Sequence, residues 1–296
     1  MTEGRLAVLP LSSLALDNNA PAGALVSSVA DLSQWVITLL NKGQTSDGKR
    51  LLSETQVREL WTPLILLPTP EPHQAVAETR SNFIAYAMGE SVREYRGKLE
   101  ITHTGGLQGM VTQVTMIPEV RLGIIVLTNQ EVGAAFNSVT NTVLDHYLGA
   151  PPKDWVAAYS QVKKTREEDA RKTVAGAAAK RNAQSKPSLP LASYAGRYRD
   201  PWYGDVVVEA KNGGLVMRFT HSPALTGMLE HWQFDTFIAR WIDRSLGADA
   251  YVTFSLQPDG SVSAVRMKAV SPLTDFSFDF HDLVLSPVPA GSPPRE

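Results

Sequence analysis

A chain of 296 residues, 43% of them hydrophobic, can build one large domain or two ordinary ones around a sizeable core. Its formal net charge of −2 gives no general attraction to nucleic acid or to an anionic membrane. The absence of cysteine excludes disulfides, a Cys nucleophile and thiolate zinc sites.

The start, Met1-Thr2-Glu3-Gly4-Arg5, lacks the basic-then-apolar shape of a signal peptide. No apolar run approaches the roughly 18 residues of a membrane span. As written, the chain is expected in the cytoplasm. Residues 1–26 read as irregular, with turn chemistry at Asp17-Asn18-Asn19 and Pro21-Ala22-Gly23. Ser28 followed three residues later by Asp31 predicts a capped helix start, with Val29, Leu32, Val36, Leu39 and Leu40 on one face and Gly43 as the stop. Ser53 and Gln56 predict a second helix that ends by Pro63, with Val57, Leu60 and Trp61 inward. The proline-rich stretch 63–80 reads as a surface loop.

Strands are expected at 83–88, 99–104, 111–117 and 122–127, with a turn at Arg96-Gly97. The last of them, Leu122 to Leu127, is apolar without alternation, the pattern of a central strand covered on both faces. A helix over 134–148 should supply one cover. Residues 151–190 read as a helical, solvated linker whose basic tilt is an exposed face and not a nucleic-acid patch. From Leu191 the pattern is all β, with strands expected at 205–210, 214–220, 224–230, 233–240, 250–256, 262–268 and 274–281. Such spacing suggests a small antiparallel barrel over 191–286, followed by a disordered tail over 287–296.

The segment His103-Thr104-Gly105-Gly106 closes a predicted strand. Two glycines let a backbone lie close to a ligand, and a free N–H there can stabilise an oxyanion. A strand ending in a Gly-rich turn, with an exposed His, accounts for the same residues.

The order of segments decides between them. Pro21 to Trp35, Gly48 to Pro63, His103 to Gly106 and Ile117 to Asn129 together resemble the serine β-lactamase and penicillin-binding-protein superfamily, in its class C-like branch of esterases and peptidases. The resemblance covers about residues 5–150. Tyr194-Ala195-Gly196-Arg197-Tyr198 resembles the opening of the small lipocalin-like domain often appended to that branch. The implied architecture is α/β: a partial β-lactamase-like antiparallel sheet with helices over 1–150, then the linker, then the small all-β domain. By position, the resemblance makes His103 a donor beside the substrate carboxylate or the nucleophile's network, and gives Gly106 an oxyanion N–H. It makes Thr104 a hydrogen-bonding partner of the substrate and Gly105 a point of close approach. Asn129 stands near the substrate carboxylate, or is simply a strand-end turn.

The family's nucleophile, the Ser of a Ser-x-x-Lys motif, and its Tyr-x-Asn element have no counterpart ahead of Pro21. The one literal match, Ser160-Gln161-Val162-Lys163, sits in the linker among charged residues, whereas a nucleophile needs a dry pocket. His73, His146, His221, His231 and His281 lack metal-ligand spacing, and the implied chemistry needs no metal or organic cofactor. The reading is therefore the C-terminal part of a serine hydrolase acting on an ester, amide or β-lactam, inactive alone, truncated or begun at a misplaced start codon. His in place of Lys at position 103 favours ester or peptide substrates over β-lactams. The resemblance leaves Leu122 to Leu127 as an apolar edge, so the chain is expected to pair there with a second copy or a complementing N-terminal chain, or to fold poorly. The other expected partner is a small acyl or peptide substrate, with no nucleic acid and no membrane; the resembled family is often periplasmic or secreted. The alternative is a non-catalytic binding protein that holds a ligand among Trp202, Trp232, Phe234, Phe237 and Trp241 of the β domain, although these aromatics also suit a packed core.

Overall fold

The computed structural model describes Val8 and residues 20–107, 109–289 and 291–293. Asp17-Asn18-Asn19, Gln108, position 290 and the last three positions of the expected tail lie outside the described residues. The chain forms two compact units, one from Val8 to Thr165 and one from Arg166 onward.

In the first unit, a short helix α1 (Ala20–Gly23) precedes α2 (Val29–Leu40). Ser28 caps α2 by accepting the Asp31 N–H at 3.2 Å. Gly43, at φ +88°, follows the helix where a Cβ would stand 2.2 Å from the Leu52 carbonyl oxygen, so only glycine fits. Helix α3 (Glu54–Leu60) starts with the expected reciprocal cap between Ser53 and Gln56.

Among the described residues a six-stranded antiparallel meander follows in chain order: β1 (Ile65–Leu67), β2 (Ile84–Tyr86), β3 (Ser91–Tyr95), β4 (Lys98–Leu107), β5 (Met110–Ile117) and β6 (Leu122–Leu127). The strand β1 falls in the stretch read as loop. It is three residues long and exposed throughout, so it carries no burial periodicity to detect. The strand β3 lies outside the expected strands; it supplies the outer partner of β4 up to the pair Ser91–Thr102.

For 122–127 the expected cover on both faces is found, the central position is not, and the apolar edge that the family resemblance implies is found among the described residues. Residues of β6 are covered on both faces, but by helices, and β6 is an edge of the sheet among the described residues. Ile125 packs with Val36 and Leu39 of α2, while Ile124 packs with Leu144 of α4 (Gly133–Tyr147). A Cβ on Gly123 would lie 2.3 Å from Val36 Cγ1, so α2 rests directly on this strand. An unalternating apolar run reports two covered faces; it does not report strand neighbours on both edges.

Asp145, at the end of α4, is a buried polar hub. It accepts from Tyr95 Oη (2.8 Å), Arg96 Nε (2.7 Å) and Nη2 (3.0 Å), and from Trp155 Nε1 (2.9 Å) of α5 (Trp155–Ala179). Burial and the neighbouring Asp145 carboxylate push the Tyr95 phenol well above its ordinary value.

In the second unit an eight-stranded antiparallel sheet, counted over the described residues, runs β13-β12-β11-β10-β9-β8-β7-β14. Its strands are β7 (Gly196–Asp200), β8 (Gly204–Lys211), β9 (Gly214–Phe219), β10 (Thr226–Gln233), β11 (Thr236–Trp241), β12 (Ala250–Leu256), β13 (Val262–Ala269) and β14 (Ser286–Pro287). A bridge between Val265 and Leu285 brings β13 to the chain just before β14, so the sheet nearly closes into a barrel.

Two expectations change here. The segment 274–281 is not a strand: Asp275 accepts the Ser277 N–H at 3.0 Å in a local turn, and Phe280–Asp282 form a 3-10 turn. The expected tail is tied down as far as Pro293, through β14 on β7, the Val288 N–H on Arg197 O (2.8 Å) and Arg199 on Pro293 O (2.9 Å). Inside the barrel, Tyr194, Tyr198, Phe237, Trp241, Phe254 and Phe280 form one buried cluster. Of the five aromatics weighed for a ligand, Phe237 and Trp241 fill this core. Trp202 and Phe234 are exposed, and Trp232 carries the Arg181 guanidinium 4.9 Å from its ring centre.

Candidate active site

The strand β4 changes character midway. Glu100, Ile101 and Thr102 are buried, whereas His103, Thr104, Gly105 and Gly106 are exposed. The change follows from strand length. The ladder to β3 stops at Ser91–Thr102, while the ladder to β5 continues through Gly105–Thr112 and Gly106–Val111 to Leu107–Met110. The β4–β5 hairpin therefore projects past the end of β3.

Register also fixes where the backbone groups point. The Val111 carbonyl accepts the Thr128 N–H at 3.1 Å, so the Val111 main chain faces β6. Its cross-strand neighbour Gly106 then turns its own N–H and C=O away from β5, because main-chain groups alternate sides along a strand. Those of Thr104 and Gly106 point to the edge that β3 leaves uncovered.

The two glycines have different reasons. A Cβ at Gly105 would lie 2.5 Å from Thr112 Oγ1, so a cross-strand side chain demands glycine there. A Cβ at Gly106 would meet nothing within 4 Å. Internal packing does not require glycine at 106, and the position is open to an approaching molecule.

The side chain of His103 is held by Tyr86, whose hydroxyl lies 3.2 Å from Nε2 with the rings edge-to-face at 61°. Thr104 is paired in register with Gln113, which accepts from Thr140 of α4 at 2.8 Å. Asn129 follows Thr128, whose hydroxyl donates to Val111 O at 2.7 Å. It is exposed and stands at the same end of the sheet as Gly106, with β5 between.

Two further residues here were not singled out from sequence. Tyr86 ends a three-residue strand, and no spacing rule links it to a histidine 17 positions on. Glu90 closes the β2–β3 turn, its carbonyl accepting the Ala87 N–H at 2.8 Å, and immediately precedes Ser91, the first β3 residue paired with β4. Burial pushes its carboxyl up to about 7, and Oε2 has no hydrogen-bond partner among the described residues. The Nε1 of Trp61, the residue that follows α3, is likewise buried and unpartnered among the described residues.

Ser160 lies on α5 with its side turned to solvent. The neighbouring Trp155, Ala158, Tyr159 and Val162 form the face that packs inward against Val76. An exposed serine on the outer face of a helix lacks the dry pocket a nucleophile needs. Among the described residues no cluster of three or more His, Asp or Glu could hold a metal ion, and no helix is long and apolar enough to cross a membrane.

Comparison with known proteins adds the following. Residues 2–148 match the β-lactamase family model, and residues 180–287 match a domain of unknown function, DUF3471. The unguisins hydrolase ungD of Aspergillus violaceofuscus is 29% identical over 270 residues, covering 82% of this chain and 46% of the relative. The unguisins hydrolase ungD' of Aspergillus campestris is 25% identical over 197 residues, covering 63% of this chain and 34% of the relative. The chain thus spans less than half the length of these curated relatives. Among solved structures, the octameric penicillin-binding protein homologue from Pyrococcus abyssi is 17% identical with a TM-score of 0.36, over 88% of this chain and 46% of that one.

Proposed function

We propose, from the premise that this chain belongs through residues 2–148 to the β-lactamase and penicillin-binding-protein-like family of hydrolases, that its β4 edge is the substrate-lining wall of an acyl-transfer site. One observation carries the proposal: the Gly106 N–H faces a strand edge that no described residue covers, beside a residue position that side-chain packing leaves open. A main-chain N–H so placed can donate a hydrogen bond to an acyl oxygen as negative charge develops on it when water or an alcohol adds to the carbonyl. Thr104, next but one along that edge, supplies a second main-chain donor and a hydroxyl. His103 offers an imidazole N–H to a substrate carboxylate, and Asn129 an amide from the far side of β5. Gly105 keeps the hairpin flat against Thr112.

The substrate class is a small acyl compound, an ester or a peptide-like amide. An imidazole at 103 recruits a carboxylate less strongly than a lysine ammonium would, which favours these over β-lactams. The names of the two fungal relatives support hydrolysis as the reaction. The attacking serine comes from outside the residues described here, and the chain by itself does not turn substrate over. The apolar β6 edge is where a complementing N-terminal strand or a second copy pairs, since its faces are already covered and its backbone edge is open among the described residues. A filled barrel interior counts against the alternative of a ligand held inside the second unit.

A fluorophosphonate probe tests the reading. The isolated chain should acquire no serine adduct by mass spectrometry. A stoichiometric adduct on Ser160 would show that the chain carries its own nucleophile and would overturn the proposal.

A further inference from the structure

We propose that Tyr86 is a positioning residue for His103, fixing the imidazole as its Nδ1–H tautomer; the inference rests on the acyl-site reading only for its consequence, not for its geometry. Tyr86 is the last residue of β2 and pairs with Ser91, the first residue of β3. Beyond Ser91 no strand residue of β3 separates the end of β2 from β4. The long phenol crosses that gap and brings its hydroxyl to 3.2 Å from His103 Nε2. The ring centroids lie 6.3 Å apart, edge to face, so the contact also restricts rotation of an otherwise exposed ring.

A neutral imidazole has one donor and one acceptor nitrogen, and the bond made at one sets the state of the other. A phenol hydroxyl is the better donor of this pair and the bare imidazole nitrogen the better acceptor. Tyr86 therefore donates to Nε2, and the proton resides on Nδ1. Nδ1–H is then the ring's remaining donor, available to an anionic oxygen. Without the phenol, the ring is free to adopt the Nε2–H form that imidazoles of histidine prefer in water. The role needs Tyr specifically: Phe keeps the ring packing and loses only the hydroxyl.

The test is a long-range proton–nitrogen NMR correlation of the histidine rings in the full chain, in the neutral-imidazole regime, for the wild type and Tyr86→Phe. The wild type should show His103 protonated on Nδ1, and Tyr86→Phe should move the signal toward the Nε2–H pattern with other amide resonances unchanged. An Nε2–H ring in the wild type, or the same pattern in both proteins, overturns the proposal. N-acetylglycine serves as a carboxylate-bearing acyl probe. Its affinity, read from the Gly106 amide shift, should fall about fivefold in Tyr86→Phe, the size expected for loss of one neutral hydrogen bond. If the tautomer moves but the probe leaves Gly106 unshifted in the wild type, the positioning of His103 stands and the acyl-site reading falls. If Gly106 responds equally in both proteins and the tautomer does not move, the positioning falls and the acyl-site reading stands.

Discussion

In the barrel unit one continuous cluster of buried side chains runs from Tyr194 through Phe237 and Trp241 to Leu285. In the sheet unit the buried apolar side chains of the described residues form three separate groups, around Val36, around Tyr95 and around Trp155. The same contrast holds for the backbone. The barrel returns on itself through the Val265–Leu285 bridge, so few of its strand edges stay open. Among the described residues the six-stranded meander keeps both edges and lets the β4–β5 hairpin outrun β3. A closed sheet has spent its main-chain donors on itself. An open one keeps some for a ligand, and the residues with chemical character, His103 to Gly106, stand where they are kept.

The contrast can be broken first at the cores. Trp241→Ala removes a buried side chain whose Nε1 donates to Ala248 O at 2.6 Å, and should cost the barrel about 3–5 kcal/mol by urea unfolding. Asp145→Ala strips the sheet unit of the acceptor shared by Tyr95, Arg96 and Trp155, leaving a partly buried guanidinium unpaired. A loss of about 3 kcal/mol is expected. A barrel variant that unfolds the sheet unit in step with the barrel would argue against treating the two separately.

Glu90 sharpens the comparison through pH. Its carboxyl titrates near 4.5 in the unfolded chain and at about 7 in the folded one, raised by burial. Between those values the folded chain holds a proton that the unfolded chain has released. Stability from this group is therefore full below pH 4.5, declines as pH rises, and is lost above about 7. Glu90→Gln should stabilise the sheet unit by about 1–3 kcal/mol at pH 8 and leave it unchanged at pH 4, read from thermal unfolding at the two pH values.

The smallest effects separate the two glycines of the strand end. Gly105→Ala forces a methyl into Thr112 Oγ1 and should destabilise by about 1 kcal/mol. Gly106→Ala has open space and should leave stability unchanged or raise it by about 0.5 kcal/mol, yet weaken an acyl ligand by placing a methyl on the approach side. Equal effects on stability would remove the distinction drawn between them.

Legibility followed how local each cause was. The caps at Ser28 and Ser53, and β6 itself, are short-range signals and emerged from sequence with their boundaries. The strands β1 and β3 did not, because β1 is exposed on every residue and β3 mixes Ser91, Arg93 and Glu94 with two buried residues. The aromatic stretch 274–281 looked like a strand, but Phe278 and Phe280 reach the barrel core from turns. His103 and the glycines were recognisable from their motif. Tyr86 and Glu90 were not, since only the folding of β2 and β3 beside β4 brings the Tyr86 hydroxyl to His103 and buries the Glu90 carboxyl in the turn between them. The different reasons for Gly105 and Gly106 likewise lie in a neighbouring strand, beyond what a dipeptide can report.

The most direct test of the uncovered edge is the Gly106 amide resonance during titration with N-acetylglycine. The account predicts a saturable shift at Gly106 and Thr104 with the barrel amides unmoved. Saturable shifts confined to the barrel, with Gly106 still, would contradict it.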